Sequence, residues 1–418
     1  MNARVGSAFQ TASAPLVSPA VPHGLAPTCN AAAGPESVRS EANFGPTCEM
    51  PGKSFYQPEL DCLRFLAFLG VYCYHCIPGT PALYAGWPHG LVWLIGGILS
   101  AGAFGVPVFF ALSAYLITSL LLREKESRGA VDTRSFYVRR ILRIWPLYFA
   151  FVAFAAVLPL VLSSQRLPVS YWAGYLLLAG NWVYVFVGLP HSVAGPLWSV
   201  SIEEQFYLAW PLVVRRVSRA ALIKVAVGLL IAANASRVFL AFLGTPSRVP
   251  TYNTIRCIDP IALGILLAVL FKEIPNFSAA QRAILFVISA NTLILVAGLT
   301  DFENGWANAI GRCLVSFASA GILLSFAGVR NRSIRHPSLL YLGKISYGLY
   351  VVHLFGWLCA VHLLRQKPFQ HSTLAIALEI AAAGLLVTIA LAALSYRWLE
   401  SPFLRLKERY TYVHSRPV

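Results

Sequence analysis

Residues 60–76 read LDCLRFLAFLGVYCYHC, an almost uninterrupted apolar run that begins the hydrophobic part of the chain. A helix needs roughly 20 mostly apolar residues to cross a bilayer, and comparable runs recur almost to the C-terminus. Of the 418 residues, 57% are hydrophobic and 12% are charged, whereas soluble domains contain about 25% charged residues. The sequence therefore predicts an all-α protein, a polytopic transmembrane helical bundle.

The apolar segments alternate with short basic loops, and cytoplasmic loops of membrane proteins carry an excess of Lys and Arg. Placing the basic loop 123–143 in the cytoplasm also places the N-terminus there. The later basic loops obey the rule only if 171–188 does not cross fully, so we expect about ten crossings with that segment broken, re-entrant or lying along the surface. The predicted apolar segments are 60–79, 91–122, 144–163, 171–188, 199–214, 220–242, 256–271, 281–299, 308–328, 342–364 and 374–396.

The two ends of the chain lack this pattern. Residues 1–54 are rich in Ala, Pro, Ser and Gly, which predicts a disordered cytoplasmic tail. No apolar run typical of a cleaved signal peptide follows the start. We therefore expect a membrane domain at 55–405, a second cytoplasmic tail at 406–418, and a location in the cytoplasmic (inner) membrane. The net charge of +16 is explained by topology, so no nucleic-acid partner is expected.

Charged side chains inside a bilayer are costly, so each one indicates a functional site. Arg64 and His75 are eleven residues apart, which on a helix places both on one face about 16 Å apart. Histidine titrates near neutrality and can take a proton from a hydroxyl, so His75 is a catalytic candidate. The alternative is a histidine that is hydrogen-bonded between helices. Cys73 and Cys76 flank His75 without metal-ligand spacing, so no metal is expected.

Arg140 and Arg143 lie three residues apart at the start of a predicted helix and therefore face one way. Paired guanidinium groups suit a phosphorylated ligand. The alternatives are a topology signal or binding of lipid headgroups. These two arginines, with Arg64, are substrate-binding candidates near the cytoplasmic side.

Glu203 and Glu204 lie near the predicted outer end of segment 199–214. Glu203 is a catalytic candidate that could orient His75, stabilise its protonated form or share its role as base. Glu204 is either a substrate-binding residue or part of a capping box with Ser201.

Two further polar residues lie inside apolar segments. Ser113 either lines a substrate site or serves helix packing. His353 is a second intramembrane imidazole, expected near mid-depth and assigned to substrate binding. With arginines near the cytoplasm and His75 and Glu203 towards the other side, a phosphorylated donor could enter from the cytoplasm and an acceptor from outside. This arrangement predicts acyl transfer across a membrane.

Six motifs in one order carry a resemblance to a known family. The chain resembles the acyltransferase-3 family of membrane acyltransferases, which includes bacterial O-antigen, exopolysaccharide and peptidoglycan O-acetylases and macrolide acyltransferases. The similarity covers roughly 55–405. The motifs are LDCLRFLAFLGVYCYHC (60–76), FGVPVFFALSAYLIT (104–118), RRILRIWPLY (139–148), PLWSVSIEEQFYLAWP (196–211), ISYGLYVVHL (345–354) and YRWLESPF (396–403).

The resemblance implies that His75 is essential for transfer and that Arg140 and Arg143 contact an acyl-CoA. Some family members carry a C-terminal SGNH domain that passes the acyl group onward. This sequence ends shortly after its last predicted helix, so we expect such a partner to be a separate protein or unnecessary.

The predicted function is acyl transfer, of acetyl above all, from acyl-CoA to a hydroxyl of a cell-envelope polysaccharide, glycolipid or similar acceptor. Acyl-CoA is then a co-substrate, and no bound cofactor is expected. His75 is either the general base or a transient acyl carrier. A multi-helix secondary transporter or exporter is the alternative, because about ten helices with a broken segment also suit that class. The oligomeric state stays open.

Overall fold

The computed structural model describes residues 55–244, 252–271, 276–364 and 373–411. All regular structure in these ranges is helical, which confirms the predicted all-α class. The α-helices are α1 (Pro58–Cys76), α2 (His89–Ala101), α3 (Gly105–Arg128), α4 (Thr133–Val157), α5 (Val169–Leu176), α6 (Gly180–Phe186), α7 (Leu197–Arg216), α8 (Arg219–Phe242), α9 (Asp259–Leu270), α10 (Ala279–Leu299), α11 (Gly305–Phe326), α12 (Pro337–Lys344), α13 (Ser346–Leu364), α14 (Thr373–Ser395) and α15 (Ser401–Glu408).

Seven helical stretches of the described chain are long and apolar enough to cross a membrane, which makes this a multi-pass membrane protein. Helices α1 and α7 fall outside this set because each carries charged side chains that lower its hydropathy. The predicted number of about ten crossings stays a prediction. The seven stretches are His89–Arg128, Thr133–Leu160, Arg219–Phe242, Ala279–Leu299, Gly305–Phe326, Ser346–Leu364 and Thr373–Glu408.

The predicted segment 171–188 is broken, as expected. Helices α5 and α6 are short, and Leu178 between them has a left-handed backbone with φ 55°. Side chains of α7 satisfy the freed backbone groups: Ser201 Oγ accepts from the Gly180 amide at 3.2 Å, and Gln205 Nε2 donates to the Leu178 carbonyl at 3.1 Å. Buried backbone polar groups need such partners, so α7 holds the break in place.

Two other predicted segments differ from the structure. Segment 91–122 is two helices, α2 and α3, joined by a 3-10 turn at Gly102–Phe104. A Cβ on Gly102 would lie 2.1 Å from the Gly70 carbonyl oxygen, so glycine is required where the turn meets α1. Segment 256–271 is α-helical only as α9, whose 12 residues span about 18 Å.

Contacts between helix ends define one end of the bundle, called here the basic end. The starts of α1, α4 and α8 and the ends of α3 and α7 meet there, and His75 in the last turn of α1 lies towards the opposite end. The linking contacts are Arg335–Glu59 at 2.9 Å, Arg139–Glu124 at 3.1 Å, Arg219–Glu126 at 3.1 Å and Lys125 Nζ to the Val217 carbonyl at 2.8 Å.

The predicted tails lie largely outside the described residues. Nothing in 1–54 or 412–418 is described. Helix α15 runs to Glu408, so the predicted boundary at 405 falls inside a helix.

Candidate active site

His75 is paired with a second histidine. Its Nδ1 lies 3.1 Å from Nε2 of His353, in the middle of α13. The Tyr72 hydroxyl donates to the Ala381 carbonyl at 2.7 Å and fixes the end of α1 against α14. His75 is accessible from a cavity, whereas the exposed fraction of His353 is 0%. One imidazole is therefore open to the cavity, and the other lies buried behind it.

The hydrogen-bond partners assign the two imidazole tautomers. His353 Nδ1 lies 2.7 Å from the Tyr350 carbonyl oxygen, and a carbonyl can only accept, so the proton of His353 is on Nδ1. In the neutral ring that carries this proton, Nε2 is an acceptor, and it accepts from the Nδ1–H of His75. The Nε2 lone pair of His75 is thereby left free to accept a proton or attack an electrophile.

This geometry changes the expectation for His353. The sequence suggested a substrate-binding residue, but His353 lines none of the described cavities and contacts His75 instead. It lies behind the exposed His75, in a position comparable to that of the carboxylate behind the histidine of a catalytic triad.

A second group of predicted residues meets around another cavity, called here the arginine cavity. It lies between α1, α3, α4, α7 and α13. Arg64, Arg140, Arg143, Glu203 and Ser113 all line it. The three arginines were expected near one side of the bundle, whereas Glu203 was expected on the side of His75.

The side chains of the arginine cavity are only partly paired. Arg64 forms an ion pair with Asp61 at 2.5 Å. The hydroxyl groups of Ser113 and Tyr207 form a hydrogen bond. The Arg140 guanidinium lies over the Tyr207 ring at 5.5 Å. Within the described part of the chain, the buried Nε of Arg140 has no hydrogen-bond partner. An orphaned buried donor is costly, so this group fits a ligand that supplies an acceptor.

The two glutamates differ from their predicted surroundings. Helix α7 begins at Leu197, so Glu203 lies about 9 Å along the axis and lines the arginine cavity instead of contacting His75. The capping box is wrong, because Ser201 and Glu204 lie inside the helix. Glu204 accepts from Trp145 Nε1 at 2.9 Å and does not line the cavity.

His75 opens into a separate cavity of about 530 Å³, called here the histidine cavity. This volume lies in the range of small-molecule sites, roughly 300–1,000 Å³. Val106, Phe110 and Tyr350 line both cavities and so form the wall between them. The Tyr350 hydroxyl is held by Ser199 Oγ at 2.7 Å. The two cavities are thus stacked along α1, one beside Arg64 and the other beside His75.

The sequence reasoning missed a charged cluster in the histidine cavity. Arg237, Arg256, Asp259 and Arg312 line it. Arg237, Asp259 and Arg312 lie in or next to apolar segments, so the cost of intramembrane charge could have identified them. Their convergence from α8, α9 and α11 could not have been read from spacing.

Comparison with known proteins identifies the class. The profile of the acyltransferase-3 family, described as an acyltransferase domain, matches residues 57–397. The chain belongs to this family, which confirms the resemblance.

Three relatives illustrate the similarity. A Staphylococcus aureus protein named "Putative O-acetyltransferase" is 28% identical over 84% of this chain and 58% of its own length. The Bacillus subtilis "Putative peptidoglycan O-acetyltransferase YrhL" is 30% identical over 86% of this chain and 57% of its own length. "O-acetyltransferase OatA" of S. aureus is 26% identical over 83% and 57%. The chain thus spans less than two thirds of these relatives, and no solved structure matches it.

Proposed function

We propose that this protein transfers an acetyl group from acetyl-CoA to a hydroxyl of a cell-envelope polysaccharide, glycolipid or similar acceptor. The observation that carries the proposal is the stacking of two cavities along α1. One holds three arginines, the other holds an accessible histidine with a free ring nitrogen, and a single layer formed by three side chains separates them. The names of the relatives, which refer to O-acetyl transfer, support the same chemistry.

The donor would enter from the basic end. A large cavity at that end, the basic vestibule, shares Phe55, Tyr56 and Gln57 with the arginine cavity. Five arginines and two glutamates line the vestibule, which leaves an excess of three positive charges for the phosphates of a nucleotide. Arg140 and Arg143 would hold the arm that carries the thioester, with Arg64 beside them. The lining arginines of the vestibule are Arg123, Arg219, Arg282, Arg330 and Arg335.

His75 would act at the thioester carbonyl. Its Nε2 takes the proton of the acceptor hydroxyl while the oxygen attacks the carbonyl carbon. The tetrahedral intermediate collapses, the C–S bond breaks, and the CoA thiolate takes the proton back from His75. The products are the O-acyl ester and CoA-SH. Because His353 would hold Nδ1–H of His75, Nε2 would be the ring nitrogen available to a substrate in the histidine cavity, which His75 lines.

A two-step route uses the same lone pair. His75 Nε2 would attack the thioester, release CoA and carry the acyl group as an acyl-imidazole until the acceptor hydroxyl displaces it. Mass spectrometry of the α1 peptide after rapid quenching with acetyl-CoA alone separates the routes, since only the carrier route adds an acetyl group to His75.

The membrane arrangement belongs to the same proposal. The basic end would face the cytoplasm of a cell bounded by its cytoplasmic membrane, and the histidine cavity would face outward. A cysteine placed at the exposed loop residue His191 is expected to react with an impermeant reagent from outside. Labelling from the cytoplasm only would contradict this orientation.

Reconstituted vesicles separate acyl transfer from transport. With acetyl-CoA on the side of the basic end and cell-envelope glycans on the other, we expect stoichiometric release of CoA-SH and formation of an O-acetyl ester. Movement of an unmodified solute without consumption of acetyl-CoA would instead support the transporter alternative.

A further inference from the structure

The wall of the histidine cavity is strongly basic. Arg237 on α8, Arg256 on the 3-10 turn Thr254–Arg256 and Arg312 on α11 all line it, together with His75. Asp259 is the one carboxylate among the described residues that line this cavity. The cavity wall therefore carries an excess of two positive charges on the side of the bundle that faces away from the basic end.

Arg237 is the ion-pair partner of the Asp259 carboxylate. It binds Asp259 through both oxygens, at 2.6 and 2.9 Å, and the pair is buried with side chains 4% and 1% exposed. Ser316 donates to Asp259 at 2.5 Å, and Arg237 also donates to the Arg256 carbonyl. These contacts join α8, α9 and α11, and both carboxylate oxygens of Asp259 already accept hydrogen bonds. Arg237 thus has a structural role.

Arg256 and Arg312 remain without a carboxylate. No ion pair between described residues includes either of them. Arg256 is 3% exposed and donates to the Ser236 carbonyl at 3.3 Å, and the Arg312 guanidinium lies over the Phe302 ring at 5.2 Å. Uncompensated charge in a largely apolar protein is strongly unfavourable, and guanidinium groups bind phosphate and carboxylate with two parallel hydrogen bonds. The pair fits an oxyanion.

Resting on the proposed function, we infer that Arg256 and Arg312 bind an anionic group of the acyl acceptor, a phosphate or a carboxylate carried near the hydroxyl that is acylated. The phosphates of the donor have their own basic surfaces in the vestibule and the arginine cavity, beyond the wall of Val106, Phe110 and Tyr350. An anion beside His75 therefore belongs to the acceptor, and neutral glycans are poor substrates.

Anion binding is tested first, without any acyl transfer. The thermal midpoint of the full chain in detergent is measured in sodium phosphate and in sodium chloride of equal ionic strength, since a bound ligand raises Tm. Phosphate is expected to raise Tm of the wild type. Arg312→Gln is expected to lose a measurable part of the rise and the double variant Arg256→Gln/Arg312→Gln a larger part, while the arginines of the vestibule and of the arginine cavity keep the remainder. Sodium succinate in the same protocol separates carboxylate from phosphate recognition.

Two further variants keep this test decisive. Arg166→Gln removes an exposed arginine outside the cavity wall and is expected to keep the full rise. If Arg312→Gln does not fold, Arg312→Lys retains the charge but loses the paired donors, and it is expected to respond less than the wild type. A full wild-type response in the Arg312 variants would overturn the anion site.

The product of the reaction gives the second test. Envelope glycans and lipids from cells with and without the gene are separated by anion exchange and analysed by mass spectrometry. Acetylated species that appear only with the gene are expected to carry phosphate or carboxylate. A neutral acetylated product would overturn the inference and leave acyl transfer standing. If no species is acetylated and no acetyl-CoA is consumed, the proposed function fails, and the Tm measurements still decide whether the anion site exists.

Discussion

The arginine cavity and the histidine cavity lie along the same helix, yet they are built in different ways. Arg64, Arg140 and Arg143 of the first cavity come from two short motifs, and Arg140 keeps a buried donor free. In the second cavity, His75 contacts a residue 278 positions away. Under the proposed function, the contrast corresponds to a division of labour, with donor binding on one side of the wall and acyl transfer on the other.

The proposed division between donor binding and acyl transfer is tested most directly by removing the imidazole of His75. His75→Ala is expected to lower the transfer rate by about 10²- to 10⁴-fold, the usual contribution of a general base. The Kd for acetyl-CoA should stay the same, because the arginine cavity is intact. His362→Ala, which alters an exposed histidine in the last turn of α13, is the control and should keep full activity. A parallel loss of acetyl-CoA affinity in His75→Ala would contradict the assignment of donor binding and chemistry to different cavities.

The ion pairs that line the two cavities differ in burial, so removing a carboxylate from each pair is expected to change stability by different amounts. Asp259→Asn leaves Arg237 buried without its counter-charge, which costs about 3–5 kcal/mol. Asp61→Asn should cost less, because its partner Arg64 is 20% exposed and can be solvated, whereas Arg237 is 4% exposed. Thermal unfolding of both variants in one detergent measures the difference. Equal losses of stability would contradict the distinction.

Substitutions of His353 test whether this residue orients the His75 ring or only packs against it. His353→Leu fills the apolar site but offers no acceptor to the Nδ1–H of His75, so kcat is expected to fall about 10- to 100-fold, as when an orienting partner is lost. His353→Gln supplies an oxygen and should recover part of kcat, while KM for acetyl-CoA stays constant in both. A purely structural role would give the reverse order, with Leu tolerated better than Gln.

The smallest expected effect lies in the arginine cavity. Arg140→Lys keeps the charge but removes the Nε donor, and loss of one charge-assisted hydrogen bond should raise KM for acetyl-CoA roughly tenfold with little change in kcat. Arg134→Lys changes an exposed arginine on the same helix and serves as the control. If kcat fell and KM did not, Arg140 would act in the chemical step and the comparison would need revision.

The sequence singled out several residues that the structure brings together, because polar groups are conspicuous in apolar segments. Arg64, Arg140, Arg143 and Ser113 do meet around one cavity. The break in 171–188 followed from charge balance across the loops. Both successes rest on the high cost of polar groups in a bilayer, which acts locally and can be read residue by residue.

The placement of Glu203 failed for a geometric reason. The prediction put the glutamate in the first turn of its helix, at the depth of His75, but α7 begins at Leu197. Each residue adds 1.5 Å along the axis, so the start at Leu197 instead of 199 places Glu203 about 3 Å further into the helix than predicted. Segment hydropathy does not fix helix ends to that accuracy.

What the sequence determined by itself is the class of the molecule: apolar helices in a membrane, with a small set of costly charges inside them. The tertiary structure alone decided which of these charges meet. His75 with His353, and Arg237 with Asp259 and Ser316, are contacts between helices far apart in the chain. Hydrophobic periodicity specifies which residues avoid water, but the partner of each side chain depends on how the helices pack, and in a bilayer that packing depends on close contacts between small residues.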